Sequence, residues 1–95
     1  MAIESVGVIG GGAWGTALAQ TLRLAGRRVT LWAREAETVE DINERHVNRT
    51  FLPGVPLDEG LRATDDLGAL ATMDAILMVA PAQHVERRGH IAAIQ

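Results

Sequence analysis

Apolar positions in this chain fall into two kinds of run. Ile3, Val6, Val8 and Ile9 make a near-continuous apolar stretch, the pattern of a central parallel strand covered on both faces. After a glycine-rich break the spacing widens. Ala17, Leu18, Thr21, Leu22 and Ala25 recur at the intervals of one helix face. A helix is predicted from position 13 or 14 to position 25, with Gly26 at its C-terminal stop. Arg28-Val29-Thr30-Leu31-Trp32 reads as a second strand. Residues 35–46 read as an amphipathic helix, with Ala36, Val39 and Ile42 inward and Glu37, Glu40, Asp41, Glu44 and Arg45 outward. His46 is expected at its end.

The remainder is more broken. Pro53, Gly54 and Pro56 prevent regular structure within residues 48–60, and Phe51, Leu52 and Val55 are expected to tuck that loop onto the domain. Residues 61–64 fit a short strand. Asp65 and Asp66 fit helix N-caps ahead of Leu67-Gly68-Ala69-Leu70. Ala75-Ile76-Leu77-Met78-Val79-Ala80 fits another buried parallel strand, which Pro81 breaks, and residues 82–95 read as helical. Strands alternating with helices predict an α/β fold, a Rossmann-type doubly wound parallel sheet of which these residues make the N-terminal part.

Candidate chemistry sits in the first turn. Gly10, Gly12 and Gly15, with Gly11 between the first two, fit G-x-G-x-x-G. Gly10 allows a tight turn out of the strand. Gly12, without a Cβ, lets the backbone approach a pyrophosphate. Gly15 lets the helix lie close against the strand. The helix N-terminus adds unpaired N–H groups and the positive end of a dipole. Strand, turn, helix and strand follow within about thirty residues, the length a dinucleotide site requires. The acidic residue of an NAD site, which accepts from the ribose 2′-hydroxyl, falls about twenty residues beyond the glycines. Ala33-Arg34 occupies that place here. An arginine there pairs with a 2′-phosphate, favouring NADP or tolerance of both cofactors. The competing reading makes Arg34 a solvated loop residue and Glu35 the ribose acid.

Composition narrows the picture further. The 95 residues suffice for one small domain, and a net charge of −3 without a basic cluster argues against nucleic acid. There is no cysteine, which excludes disulfides, thiolate catalysis and cysteine metal sites, and permits a cytoplasmic setting. The longest apolar run, residues 75–82, is strand-sized, against the roughly twenty residues of a membrane span. No basic region precedes the first apolar stretch, so no signal peptide is expected. The acidic face of the second helix reads as solvated, not metal-binding. Pro81, Ala82, Gln83 and His84 fall at the edge where ligands of such sheets sit, but no orienting partner makes His84 or His90 catalytic.

With these residues in view, the chain resembles the N-terminal part of bacterial-type NAD(P)-dependent glycerol-3-phosphate dehydrogenase. The resemblance rests on Gly10-Gly11-Gly12-Ala13-Trp14-Gly15-Thr16-Ala17-Leu18-Ala19, Val29-Thr30-Leu31-Trp32-Ala33-Arg34 and Asn48-Arg49-Thr50-Phe51-Leu52-Pro53-Gly54-Val55. Ala63-Thr64-Asp65-Asp66-Leu67 and Val79-Ala80-Pro81-Ala82-Gln83 continue it. It implies reversible hydride transfer between NAD(P)H and dihydroxyacetone phosphate, giving sn-glycerol 3-phosphate for phospholipid synthesis. It also implies cofactor contacts at Ala13, Trp14 and Arg34. Ala13 stands where serine is frequent in the family, and Glu86 where an arginine is frequent. Members are several times longer, and their catalytic lysine and helical substrate domain lie beyond position 95. All nine basic residues here are arginines. The isolated chain is therefore expected to be inactive and its oligomeric state open, with room for a homo-oligomer. The alternatives are the cofactor domain of a hydroxyacid or sugar-acid dehydrogenase, and a non-catalytic nucleotide-sensing module.

Overall fold

In the computed structural model, which describes residues 3–79, the chain builds a four-stranded parallel sheet. The first strand, β1, spans Ser5–Ile9 and the first helix, α1, spans Ala13–Leu24. β2 spans Arg28–Trp32, as its pattern predicted. α2, Ala36–Glu40, runs on into a wider π-helical turn over Asp41–Arg45. His46 ends it in the left-handed region, with φ 59°. β3 spans Arg62–Thr64, a short 3₁₀ turn spans Leu67–Leu70, and β4 spans Ala75–Met78.

The order across the sheet is β3-β2-β1-β4. The chain steps outward from β1 through β2 to β3, then returns to place β4 on the other side of β1. Such a reversal is the topological switch point of a doubly wound sheet, and its crevice lies beyond the carboxyl ends of the strands. The core gathers Val6, Val8, Val29, Leu31, Ile42, Leu57 and Leu61 around the sheet, with Ala19 facing it from α1.

Several expectations change at the level of packing. The buried residues of α1 are Gly15, Thr16 and Ala19; Thr21 and Ala25 are exposed. The helix is turned so that its smallest residues face the strands, because Gly15 lies directly on the Gly10 carbonyl. In α2, Ala36 is exposed and Thr38 is buried, and in the π-helical turn that follows the carboxylate of Asp41 is buried. Asp41 tolerates burial because its oxygens accept bonds from Arg45 and Arg49. Phe51 and Val55 do not anchor the irregular loop, being exposed; Asn48 and Leu57 hold it instead. Arg23 of α1 also donates to Asp58 at 2.7 Å. β4 is parallel, as expected, but not buried: Ile76, Leu77 and Met78 are exposed, since β4 pairs with β1 and no other described element covers it.

Of the two expected caps, Asp66 is the N-cap of the 3₁₀ turn, its Oδ1 accepting the Gly68 N–H at 2.9 Å. Asn43 caps the sheet edge, donating to the Ala63 carbonyl and accepting the Ala63 N–H. Asp74 accepts the N–H groups of Glu4 and Ser5, pinning the start of β1 to the approach to β4. The expectations for Pro81, Ala82, Gln83, His84, Glu86, His90 and the helix over residues 82–95 lie outside the described residues.

Three aspartates have carboxyls held below their ordinary range. The Arg49 guanidinium does this for Asp41, the Arg23 guanidinium for Asp58, and the Glu4 and Ser5 amides for Asp74. A depressed folded-state value gives stability that is present above the unfolded value and lost as pH falls through the folded one. Stability should therefore drop on acidification below about pH 4. A denaturant series over pH should show this limb, and Asp41→Asn and Asp74→Asn should each flatten it. An unchanged limb in both variants would assign the acid loss elsewhere.

Candidate functional site

The glycine turn leaves β1 at the carboxyl edge of the sheet, at the switch point. The Gly10 N–H donates to the Trp32 carbonyl at 3.0 Å and the Val79 N–H donates to the Ile9 carbonyl at 2.9 Å. The ends of β1, β2 and β4 therefore meet around this turn. Gly10 has φ +132°, a conformation that disfavours any residue with a side chain. A Cβ at Gly10 would also stand 2.7 Å from the Val79 carbonyl oxygen.

Gly11 packs on the end of β2. A Cβ at Gly11 would meet Ala33 Cβ at 2.6 Å. That contact brings the turn against the residue immediately before Arg34. Gly12 is the N-cap of α1, and a methyl group at its Cα would meet no described atom beyond its chain neighbours within 4 Å. Among the described residues no protein acceptor takes the N–H of Gly11, Gly12, Ala13 or Trp14. These donors lie at the positive end of a 12-residue helix. A dinucleotide pyrophosphate fits this arrangement: N–H donors without an acceptor among the described residues, no described side chain in the way, and a glycine backbone that permits close approach.

The remaining predicted site residues lie on the same edge. Ala13 and Trp14 open α1 and both are exposed, Trp14 by 64%. Arg34 follows buried Ala33 beyond β2, its side chain 83% exposed. Its Nε stands 3.8 Å from Glu35 Oε2, a loose pair worth little in water and easily exchanged for another anion. Gly15 is buried and structural.

Sequence reasoning missed the support beneath the turn. Asn48 is fully buried and lies 37 positions from Gly11. Its Nδ2 donates to the Gly11 carbonyl at 3.0 Å and to Thr16 Oγ1 at 2.8 Å. Thr16 Oγ1 in turn donates to the Gly11 carbonyl at 3.4 Å, and Asn48 Oδ1 accepts the Phe51 N–H. The one signal in the sequence is an asparagine opening the segment Asn48-Arg49-Thr50-Phe51-Leu52-Pro53-Gly54.

A separate concavity of about 430 Å³ is lined by Glu37, Glu40, Asp41, Arg45, Arg49 and Thr50. It shares no residue with the glycine turn, and its carboxylates Glu40 and Asp41 are engaged by its own arginines. No group of three metal-ligating side chains occurs among the described residues.

Residues 5–91 match the family model described as the NAD-dependent glycerol-3-phosphate dehydrogenase N-terminus. The chain belongs to this family. A glycerol-3-phosphate dehydrogenase [NAD(P)+] of Paramagnetospirillum magneticum is 65% identical over 83 residues, covering 87% of this chain and 30% of that protein. Its namesake in Rhodospirillum rubrum is 65% identical over 82 residues, covering 85% of this chain and 24% of that protein. The crystal structure of glycerol-3-phosphate dehydrogenase from Coxiella burnetii superposes with a TM-score of 0.75 at 37% identity, covering 90% of this chain and 28% of that one. The chain thus spans 24–30% of the length of these relatives. The sheet is the N-terminal part of a Rossmann-type domain, as its pattern predicted. Among the described residues no helix is long and apolar enough to cross a membrane.

Proposed function

We propose that residues 1–95 form the N-terminal, cofactor-binding portion of a glycerol-3-phosphate dehydrogenase. The longer protein interconverts dihydroxyacetone phosphate and sn-glycerol 3-phosphate with NAD(P)H. The observation that carries this reading is the run of N–H groups at Gly11, Gly12, Ala13 and Trp14, which find no acceptor among the described residues and lie at the switch point of the sheet. Membership of the family supplies the substrate class.

When bound, the nicotinamide cofactor supplies the hydride, and the protein's part is binding and orientation. Gly12 and the first turn of α1 would hold the pyrophosphate. Trp14 would lie beside it, and Arg34 would face the adenosine ribose and favour a 2′-phosphate there. None of the described residues is assigned to polarise the carbonyl, so groups elsewhere in the longer protein carry that step.

The test is a parallel titration with NADPH and NADH, read by tryptophan fluorescence. Trp14, exposed beside the turn, is the reporter. Saturable quenching by either cofactor, with NADPH tighter, is the expected result. A folded protein whose fluorescence and calorimetric response are flat for both would reject the dinucleotide site. Turnover of dihydroxyacetone phosphate by the longer protein checks the substrate separately.

A further inference from the structure

We propose that Asn48 is a positioning residue for the cofactor, setting the direction of the Gly12 N–H through the Gly11 carbonyl. The proposal rests on the dinucleotide reading above and adds to it a residue outside the glycine motif.

The geometry of the peptide plane links the two groups. In a trans peptide the C=O of one residue and the N–H of the next point in opposite directions. Asn48 Nδ2 holds the Gly11 carbonyl toward the protein interior at 3.0 Å. The Gly12 N–H must then point the other way; at φ −76° a Cβ on Gly12 would lie on that same side, and it would meet no described atom beyond its chain neighbours within 4 Å. That is the side open to a pyrophosphate. Gly11 and Gly12 have no side chains to restrain this peptide, so an outside group has to do it.

The bonding of Asn48 leaves little freedom. Its two Nδ2 protons go to the Gly11 carbonyl and to Thr16 Oγ1, and its Oδ1 takes the Phe51 N–H. The Gly11 carbonyl can only accept, so the amide orientation is dictated by chemistry. Thr16 closes the triangle and is itself fully buried, one turn into α1. The turn is thereby locked to both the helix and the distant loop. Pre-orientation of this kind raises affinity by lowering the ordering cost of binding.

Asn48→Asp is the sharpest probe. It preserves shape and the acceptor for the Phe51 N–H, but sets an oxygen against the Gly11 carbonyl. In the protein carrying this chain, the Kd for NADH and for NADPH should both rise about tenfold or more, measured at a temperature where circular dichroism shows the variant folded. Their ratio should stay as in the wild type, because the Arg34 end is untouched. With selective ¹⁵N-glycine labelling, the Gly12 amide resonance should move on NADH addition in the wild type and not in the variant. A purely structural role would lower the melting temperature and leave the Gly12 response intact, which would overturn the proposal.

Should the variant not fold, the wild type alone decides. The Asn48 side-chain amide protons should be protected from exchange with or without NADH, while Gly12 becomes protected only with it. Rapid exchange at Asn48 in the free protein would overturn the proposal. A wild type that binds neither cofactor removes the dinucleotide reading and the proposal with it. A wild type that binds, beside an Asn48→Asp variant within twofold of it, removes the proposal alone.

Discussion

Replacing Gly15 by alanine should cost about 3 kcal/mol or more of stability and abolish cofactor binding. The new methyl would fall on the Gly10 carbonyl, which is backbone and cannot swing aside. Relief requires α1 to retreat from the sheet edge, which separates Ala19 and Thr16 from the core and misplaces the first-turn N–H groups. Gly12→Ala supplies the contrast. Its methyl meets no described atom beyond the chain neighbours, at an ordinary φ of −76°, so the loss should be about 1 kcal/mol or less, that of a weaker N-cap. Cofactor affinity should nevertheless fall sharply, because the methyl occupies the approach to the pyrophosphate. Denaturant titration and cofactor titration on both variants read the two effects separately. Equal stability for Gly15→Ala and wild type would refute the close-packing role, and unchanged affinity in Gly12→Ala would move the pyrophosphate elsewhere.

Arg34→Ala should weaken NADPH binding by about tenfold to a hundredfold and leave NADH within about threefold. The guanidinium is largely exposed and loosely paired, so its loss should barely change the melting temperature. The NADPH effect should shrink with added salt, as expected for a charge pair at the surface. Glu35 offers the opposing outcome. If Glu35→Gln weakens NADH while Arg34→Ala leaves NADPH unchanged, Glu35 is the ribose acid and the preference is for NAD.

The legible parts of the molecule are those written in contiguous residues. The apolar run before Gly10, the glycine spacing, the helix stop at Gly26 and the second strand lie within the first third of the chain, where local propensity and period decide the outcome. β3 is legible as well, within a residue. Faces are less so. A period of 3.6 says that a helix has an inner face, but the contact of Gly15 with Gly10 chose Thr16 and Ala19 for it. Asp41 reads as solvated because a lone carboxylate usually is, and its burial depends on Arg49, eight positions away in the next loop.

The sequence by itself determined the class of fold, the position of the turn and the types of residue around it, because these follow from local pattern and from the absence of a Cβ at three glycines. Only the tertiary structure decided that β4 returns beside β1 to make the switch point, and that Asn48 closes on Gly11 across 37 positions. It likewise decided that Asp74 fastens the start of β1. The reason is physical. A hydrogen bond between distant segments depends on where the sheet brings them, and strand order is set by the burial of the whole core, which no short stretch of the chain encodes.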